Sequence, residues 1–328
     1  PVAIMFLTAT IWGIPGQYTL TIGAAVFRSA KMVLIPLYVT GAACLLNVFG
    51  DLAFGLGWWG FPAYGATGIA YSTLVSVTVG AALMLFLLMR HELFTRDSFP
   101  GWRWIKAGAP YLLKVAGPAF GTSFLWQTGY MVLYVITASL PFGRVNALAG
   151  LTTGLRVESI LFLPAVAFSM TASVLVGHAL GEGNHREAKR TLLATLGIAC
   201  AGAAIWPWRM ELAGLIAPDP AVQVETVKYL SFNIMAVPFT VASVVLAGGL
   251  NGAGATVYPM VSFSFAVWAV RLPIAWLFGH IIWQDASGVF LSTFVSQVVM
   301  SLSLLWVTLR CNWTRFALAV RPHTCASR

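Results

Sequence analysis

Nine long apolar runs constrain the fold of this chain more than any other feature. They are separated by short breaks rich in charged residues, glycine, proline or asparagine. The runs cover residues 3–27, 32–57, 66–90, 108–139, 146–181, 188–216, 224–250, 257–283 and 287–310. Each has room for the ~20 residues of a bilayer-spanning helix, and none shows the alternation of a barrel strand. The sequence therefore predicts an all-α polytopic membrane protein.

The composition excludes the soluble alternatives. Charged residues make up 9% of the 328 residues and hydrophobic residues 59%, whereas a typical soluble chain carries roughly 25% charged residues. Disordered and nucleic-acid-binding proteins need polar or charged chains. The four cysteines form no C-x-x-C pair, so we expect neither a disulfide framework nor a zinc site.

The positive charges are concentrated on one predicted face of the membrane. If the N-terminal end of the first run lies outside, the inner loops and the C-terminal tail hold 13 of the 19 basic residues. This positive-inside bias predicts a multi-pass protein of the cell inner (plasma) membrane with a cytoplasmic C-terminus. It also accounts for the net charge of +9 without a nucleic-acid partner.

The chain repeats part of itself. The segment STLVS at residues 72–76 recurs as STFVS at 292–296. Further matches keep a spacing of 220 to 224 residues: Gly68 with Gly288, Phe54-Gly55 with Phe278-Gly279, Pro36 with Pro259, and Pro15 with Pro238. Runs one to three therefore repeat as runs seven to nine in the same direction. Parallel repeats of this kind occur in transporters built from two related bundles.

The repeat predicts a division into lobes and an incomplete N-terminal lobe. Runs four to six have no copy ahead of Pro1, so we expect nine of twelve spans in an N-terminally truncated chain. The predicted parts are the second half of an N-terminal lobe (1–95), a cytoplasmic linker (96–107), a complete C-terminal lobe (108–312) and a cytoplasmic tail (313–328).

Several stretches resemble the multidrug and toxic compound extrusion (MATE) family. They are Asn47-Val48-Phe49-Gly50-Asp51, Gly65-Ala66-Thr67-Gly68-Ile69-Ala70, Leu250-Asn251-Gly252-Ala253-Gly254-Ala255-Thr256, Arg156-Val157-Glu158-Ser159 with its continuation to Pro164, and Val176-Gly177-His178-Ala179-Leu180-Gly181-Glu182-Gly183-Asn184. The match has departures, with Asn251 where the family usually has Arg and His178 where it usually has Gln. The resemblance covers helices four to twelve of that fold.

The resemblance implies a secondary-active antiporter and not an enzyme. Such a protein exports amphipathic, generally cationic drugs or toxic compounds in exchange for H⁺ or Na⁺ by alternating access. Its partners are a small organic substrate and the lipid bilayer. No cofactor, nucleic acid or obligatory protein partner is implied.

Glu158 is the leading candidate for ion coupling, because an ionisable side chain inside a membrane is costly. It lies about twelve residues into its predicted helix, or ~18 Å from the start, which is near mid-membrane. A carboxyl group there is suited to exchanging a proton or holding Na⁺. The alternative interpretation is a structural pair, although Arg156 lies two residues away and does not share its face.

Asp51 is the second candidate for ion coupling. It lies about nineteen residues into its predicted helix, close to the outer surface. The alternative interpretation is a cap, or a hydrogen bond with Asn47 one turn earlier.

Five residues are candidates for the substrate cavity. Trp126 and Tyr130 are one helical turn apart on one face, which suits stacking on a flat cation or ordinary packing. Some family members carry a carboxylate near Gln127, so the neutral side chain here leaves Glu158 as the main acid of this lobe. Arg271 occupies the repeat position of Asn47 and needs an acceptor such as a carboxylate or a helix C-terminus. Arg156 is the fifth candidate for the substrate cavity.

Two other functions compete with the antiporter. A flippase for a lipid-linked precursor shares the superfamily architecture, but favours several cavity Arg and Lys residues to bind pyrophosphate. An intramembrane transferase needs paired acidic motifs for Mg²⁺ or a His/Asp centre, and the ten acids of the chain form no D-x-x-D or H-x-x-x-D motif.

Overall fold

The helices of the computed structural model follow the apolar runs closely. The structure describes residues 2–95, 102–141, 143–204 and 220–313. The α-helices are α1 (Val2–Ser29), α2 (Leu34–Gly50), α3 (Ala66–Arg90), α4 (Trp102–Ala138), α5 (Arg144–Gly181), α6 (His185–Ala204), α7 (Pro220–Gly252), α8 (Val257–Ser264), α9 (Leu272–Trp276) and α10 (Ala286–Arg310). π-helical turns cover Asp51–Gly55, Phe265–Arg271 and Leu277–Ile282, and a 3₁₀ turn covers Trp58–Gly60. The described residues contain no strand, and the predicted all-α class is confirmed.

Six segments of the described chain are long and apolar enough to cross a bilayer. They are Leu34–Gly55, Ala66–Arg90, Phe162–Gly181, Met235–Gly252, Val257–Ile282 and Ala286–Arg310. Two of them run through π-helical turns without a break in the helix. Because a helix satisfies its backbone hydrogen bonds internally, it is the form that such apolar segments take in lipid.

The chain divides into two compact units, Pro1–Lys106 and Ala107–Arg328. The lobe boundaries from the sequence stay a prediction. Of the predicted linker, residues 96–101 lie outside the described residues, as do residues 314–328 of the predicted tail. The remainder of the linker is helical, because α4 begins at Trp102. No glycine or proline interrupts residues 102–107, so nothing in that stretch prevents the helix from starting early.

Small residues allow the helices of the second unit to approach closely. A Cβ atom at Gly248 of α7 would lie 2.3 Å from the backbone oxygen of Ser169 in α5, and one at Gly252 would lie 2.2 Å from that of Ser173. Small residues at a helix interface are the usual means of close packing in membranes. The main core cluster is built around this contact and includes Ala172 on α5.

The internal repeat is also a repeat of backbone structure. After α1, the amide of Met32 donates to the carbonyl of Phe27, and Lys31 donates to Arg28. After α7, Ala255 donates to Leu250 and Gly254 to Asn251, a constant 223 residues later. The turn is left-handed in both copies, with φ of 62° at Lys31 and 74° at Gly254.

A second contact is common to both copies. A Cβ atom at Gly68, in the first turns of α3, would lie 2.2 Å from the backbone oxygen of Phe54. One at Gly288, in α10, would lie 2.5 Å from the carbonyl carbon of Phe278. Each glycine therefore permits a helix start to lie directly on a π-helical turn.

The shared turn predicts opposite effects of two substitutions. The left-handed region is strained for a side chain with a Cβ atom and open to glycine. Gly254→Ala should lower the free energy of unfolding by about 1 kcal/mol, whereas Lys31→Gly should raise it by up to about 1 kcal/mol. Thermal unfolding in detergent measures both. Equal destabilisation by the two changes would contradict the shared turn.

The start of α10 is held by Asp285. Its carboxylate accepts hydrogen bonds from the backbone amide and the hydroxyl of Ser287, at 3.4 and 2.6 Å, and lies 3.6 Å from the Nζ atom of Lys228. Partial burial raises the pKa of Asp285. The hydrogen bonds from Ser287 and the charge of Lys228 outweigh that effect, so its pKa is below the ordinary value of 3.8.

A group with a lowered pKa in the folded state stabilises it above the ordinary pKa, and this stabilisation disappears as the pH falls through the lowered value. Asp285→Asn keeps an acceptor at the helix start and removes the charge. The pair is partly exposed, so the loss at neutral pH should stay below about 1 kcal/mol. The difference in melting temperature between the wild type and the variant should vanish as the pH falls through the lowered pKa of Asp285. A difference that persists there would contradict this assignment.

Candidate functional site

Glu158 lies half-buried on α5 and is held by a tyrosine from α7. The hydroxyl of Tyr229 donates a hydrogen bond to its Oε2 atom at 2.5 Å, and Tyr229 is itself fully buried. Gly154, one turn before Glu158, makes room for the ring, because a Cβ atom there would lie 2.2 Å from the Cδ1 atom of Tyr229. The ring also packs edge-on against Phe290. Hydrogen bonds to ionised carboxylates are among the strong ones in proteins.

Glu158 lines a cavity of about 320 Å³ in the second unit. The other lining residues are Trp126, Gln127, Tyr130, Tyr134, Leu155, Ser159, Phe162 and Gln297. A neighbouring cavity of about 380 Å³ shares Trp126, Gln127, Phe162 and Gln297 with it. Glu158 is the only one of these lining residues with a carboxyl group, and none of them is Lys, Arg or His. The wall is otherwise aromatic or neutral.

Trp126 and Tyr130 form an aromatic pair on α4, as their spacing predicts. Their ring centroids are 5.3 Å apart, and Trp126 also lies 5.7 Å from the ring of Phe263. Both rings line the cavity of Glu158. A carboxylate and two aromatic rings in one cavity make a suitable environment for an organic cation.

Arg271 lies against this aromatic pair. Its guanidinium carbon is 5.1 Å from the ring centroid of Trp126 and 5.2 Å from that of Tyr130. Its Nε atom donates to the hydroxyl of Ser296 at 2.8 Å, and the residue is 1% exposed. The sequence predicts a carboxylate or helix C-terminus as its acceptor, and this expectation is wrong. Two ring faces and one hydroxyl surround the charge instead.

Arg156 is not part of the cavity wall. Its side chain is exposed and does not contribute to either cavity that Gln297 lines. Two residues along a helix correspond to a rotation of about 200°, so Arg156 and Glu158 point in different directions. The structure thus brings together Glu158, Trp126, Gln127 and Tyr130, with Arg271 behind the rings.

Asp51 belongs to the first unit and has different surroundings. It is the first residue of the π-helical turn that continues α2, and its Oδ1 atom is buried without a hydrogen-bond partner among the described residues. Asn47 does not supply one, because its Nδ2 atom donates to the hydroxyls of Thr73 and Ser72 at 3.3 and 3.5 Å. The expected cap is present, because Asp51 is the C-cap of α2 and its backbone amide donates to the carbonyl oxygen of Asn47. The two side chains do not bond to each other.

A larger cavity in the first unit is almost entirely apolar. It measures about 500 Å³, and its lining residues include Phe49, Phe54 and Tyr71 but no charged side chain among those described. Size alone therefore does not identify the candidate site. We place that site at Glu158, where a carboxylate and aromatic rings share one cavity.

The chain is similar to one family of known proteins. The sequence profile of the MatE family matches residues 118–277, a region that includes Glu158, the aromatic pair and Arg271. The probable multidrug resistance protein NorM of Thermotoga maritima is 26% identical over 326 residues, which cover 97% of this chain and 69% of that relative. The chain is thus similar to MATE family proteins over nearly all of its length. Members of this family are multi-pass membrane transporters and not enzymes.

Another relative is similar in sequence, and two solved structures share the fold. The multidrug resistance protein PmpM of Pseudomonas aeruginosa is 26% identical across 74% of this chain and 52% of its own length. An outward-facing multidrug resistance MATE transporter superposes with a TM-score of 0.84 at 18% identity, covering 96% of this chain and 70% of that structure. The eukaryotic MATE transporter AtDTX14 gives 0.82 at 17% identity, covering 95% and 69%. The chain spans 52% to 70% of the length of each of these proteins.

The Tyr229–Glu158 hydrogen bond predicts a coupled pair of substitutions. Tyr229→Phe should lower the free energy of unfolding by about 1.5–3 kcal/mol, because the bond is to a charged group. In a Glu158→Gln background the same change should lower the free energy of unfolding by a smaller amount, because the charge of the carboxylate has already been removed. A double-mutant cycle of chemical unfolding in detergent measures the coupling. Strictly additive effects would contradict the bond.

Proposed function

We propose that this MATE-like protein is a secondary-active antiporter that exports amphipathic, cationic organic compounds in exchange for H⁺ or Na⁺. The names of its relatives support drug export, since NorM of Thermotoga maritima and PmpM are described as multidrug resistance proteins. The choice of a cationic substrate and of Glu158 as the coupling group is supported by the cavity of the second unit.

The observation that carries the proposal is the sharing of one cavity by Glu158 and the aromatic pair. A carboxylate in a mostly apolar wall attracts either a coupling ion or a cationic substrate. Because the carboxylate carries one negative charge, neutralising it with one cation weakens its attraction for the other. Such competition at a single group is sufficient to exchange an ion for a substrate.

The polarity of the wall favours an exporter of cations over a flippase. A pyrophosphate group needs Arg or Lys side chains that reach it, and neither residue type lines the cavities of Glu158 and Gln297 among the described residues. Arg156 is exposed outside them, and the rings of Trp126 and Tyr130 cover the guanidinium of Arg271.

The remaining parts of the proposal concern orientation and the first unit. The positive-inside bias supports an inner-membrane location with a cytoplasmic C-terminus.

Asp51 is proposed as a second ion-coupling group, supported by its buried Oδ1 atom, which lacks a partner among the described residues. Gln127 is proposed to contact the substrate through its exposed amide in the wall of the cavity. Alternating access would expose the cavity to each side of the membrane in turn.

The proposal predicts loss of transport from a nearly isosteric change. Glu158→Gln keeps the size of the side chain and an acceptor for Tyr229 but removes the titratable charge. Drug efflux from cells that express the variant should fall at least tenfold, because ion exchange at this position is lost. Protein in the membrane fraction should stay at the wild-type level.

Glu182→Gln serves as the matched control. Glu182 is exposed just after α5 and lines neither cavity, so its neutralisation should leave efflux unchanged. Wild-type efflux from Glu158→Gln would contradict the coupling role, as would equal losses in the two variants.

A further inference from the structure

Arg271 carries a charge that its place in the fold does not require. In the first copy of the repeat, the neutral Asn47 donates to a serine 25 residues later. In the second copy, Arg271 donates to Ser296 of α10, one helical turn beyond Ser292, which is the counterpart of Ser72. An amide is enough to link the corresponding helices in the first copy, so the guanidinium must be explained in another way.

The guanidinium is an expensive group to bury. Arg271 is 1% exposed, and its Nη1 and Nη2 atoms have no hydrogen-bond partner among the described residues. No carboxylate forms an ion pair with it within 4.0 Å there. Burial of an unpaired cation is costly, and a desolvated cation–π contact offsets part of that cost. The aromatic pair is thus its main compensation.

The same two rings line the cavity of Glu158. Building on the proposed function, we propose that Arg271 is a tethered cation that competes with the cationic substrate for the Trp126–Tyr130 pair. Two cations on one pair of rings repel each other and share the same quadrupole attraction. Binding of the substrate therefore requires the guanidinium to withdraw or to accept a weaker contact.

The position of Arg271 at the end of a π-helical turn fits this role. The turn covers Phe265–Arg271 and continues into α9. Single π-turns occur often at functional sites, and conversion of the turn to α-helical geometry would move its last side chain relative to the rings. With Arg271 on the pair, the site holds a cationic substrate weakly, which favours its release.

Equilibrium binding of tetraphenylphosphonium, a permanent aromatic cation, to the purified protein tests the inference. Arg271→Gln keeps a donor for Ser296 but removes the charge, and should tighten binding by roughly tenfold. Arg271→Lys keeps the charge and should stay within about threefold of the wild type. Arg190→Gln removes an exposed arginine of α6 and should not change the dissociation constant.

Three results would overturn the inference. One is unchanged or weaker binding to Arg271→Gln with a wild-type melting temperature, which would indicate that the charge helps to hold the ligand. Another is failure of Arg271→Gln to fold, because the charge would then be required by the structure. The third is absence of probe binding to any variant. The assay uses no ion gradient, so its result is independent of whether Glu158→Gln abolishes efflux.

Discussion

Two opposite charges, each held by aromatic side chains, lie inside one helical unit, and the candidate site depends on this arrangement. Tyr229 binds the carboxylate of Glu158, and Trp126 and Tyr130 cover the guanidinium of Arg271. Aromatic groups stabilise each charge without neutralising it, unlike a direct ion pair. The carboxylate of Glu158 therefore stays available to a mobile ion or ligand in the cavity, whereas the guanidinium of Arg271 is covered by the rings.

The two copies of the repeat share their backbone features but not their ionisable side chains. The two copies share a left-handed turn and a glycine contact at a π-helical turn, and those features set the path of the helices. The charged residues differ between the copies. Asn47 corresponds to Arg271, and at the same spacing of 224 residues Asp51 corresponds to Ala275, which is fully buried. The repeat therefore accounts for the path of the helices but not for the positions of the ionisable groups.

The sequence predicts the helices well because nine apolar runs and their breaks determine where a membrane chain can cross and turn. It also marks Glu158 and the aromatic pair as candidate site residues. A single carboxylate within an apolar run and two aromatic residues four positions apart can be recognised from the sequence alone. It does not predict the partner of Glu158, because Tyr229 is 71 residues away and nothing local marks it. Nor does it predict that the rings surround Arg271, or that the side chain of Asn47 bonds to α3 rather than to the side chain of Asp51. Those contacts depend on how separate helices face each other.

Ion release on substrate binding shows whether Glu158 exchanges an ion for the substrate. Purified protein in weakly buffered detergent solution would receive a cationic substrate while the pH and the amount of bound ²²Na⁺ are recorded. If Glu158 exchanges one ion for one substrate, binding should release about one proton or one Na⁺ per protein, and Glu158→Gln should release neither. Tight substrate binding with no ion released from the wild type, or equal release from the variant, would contradict the account.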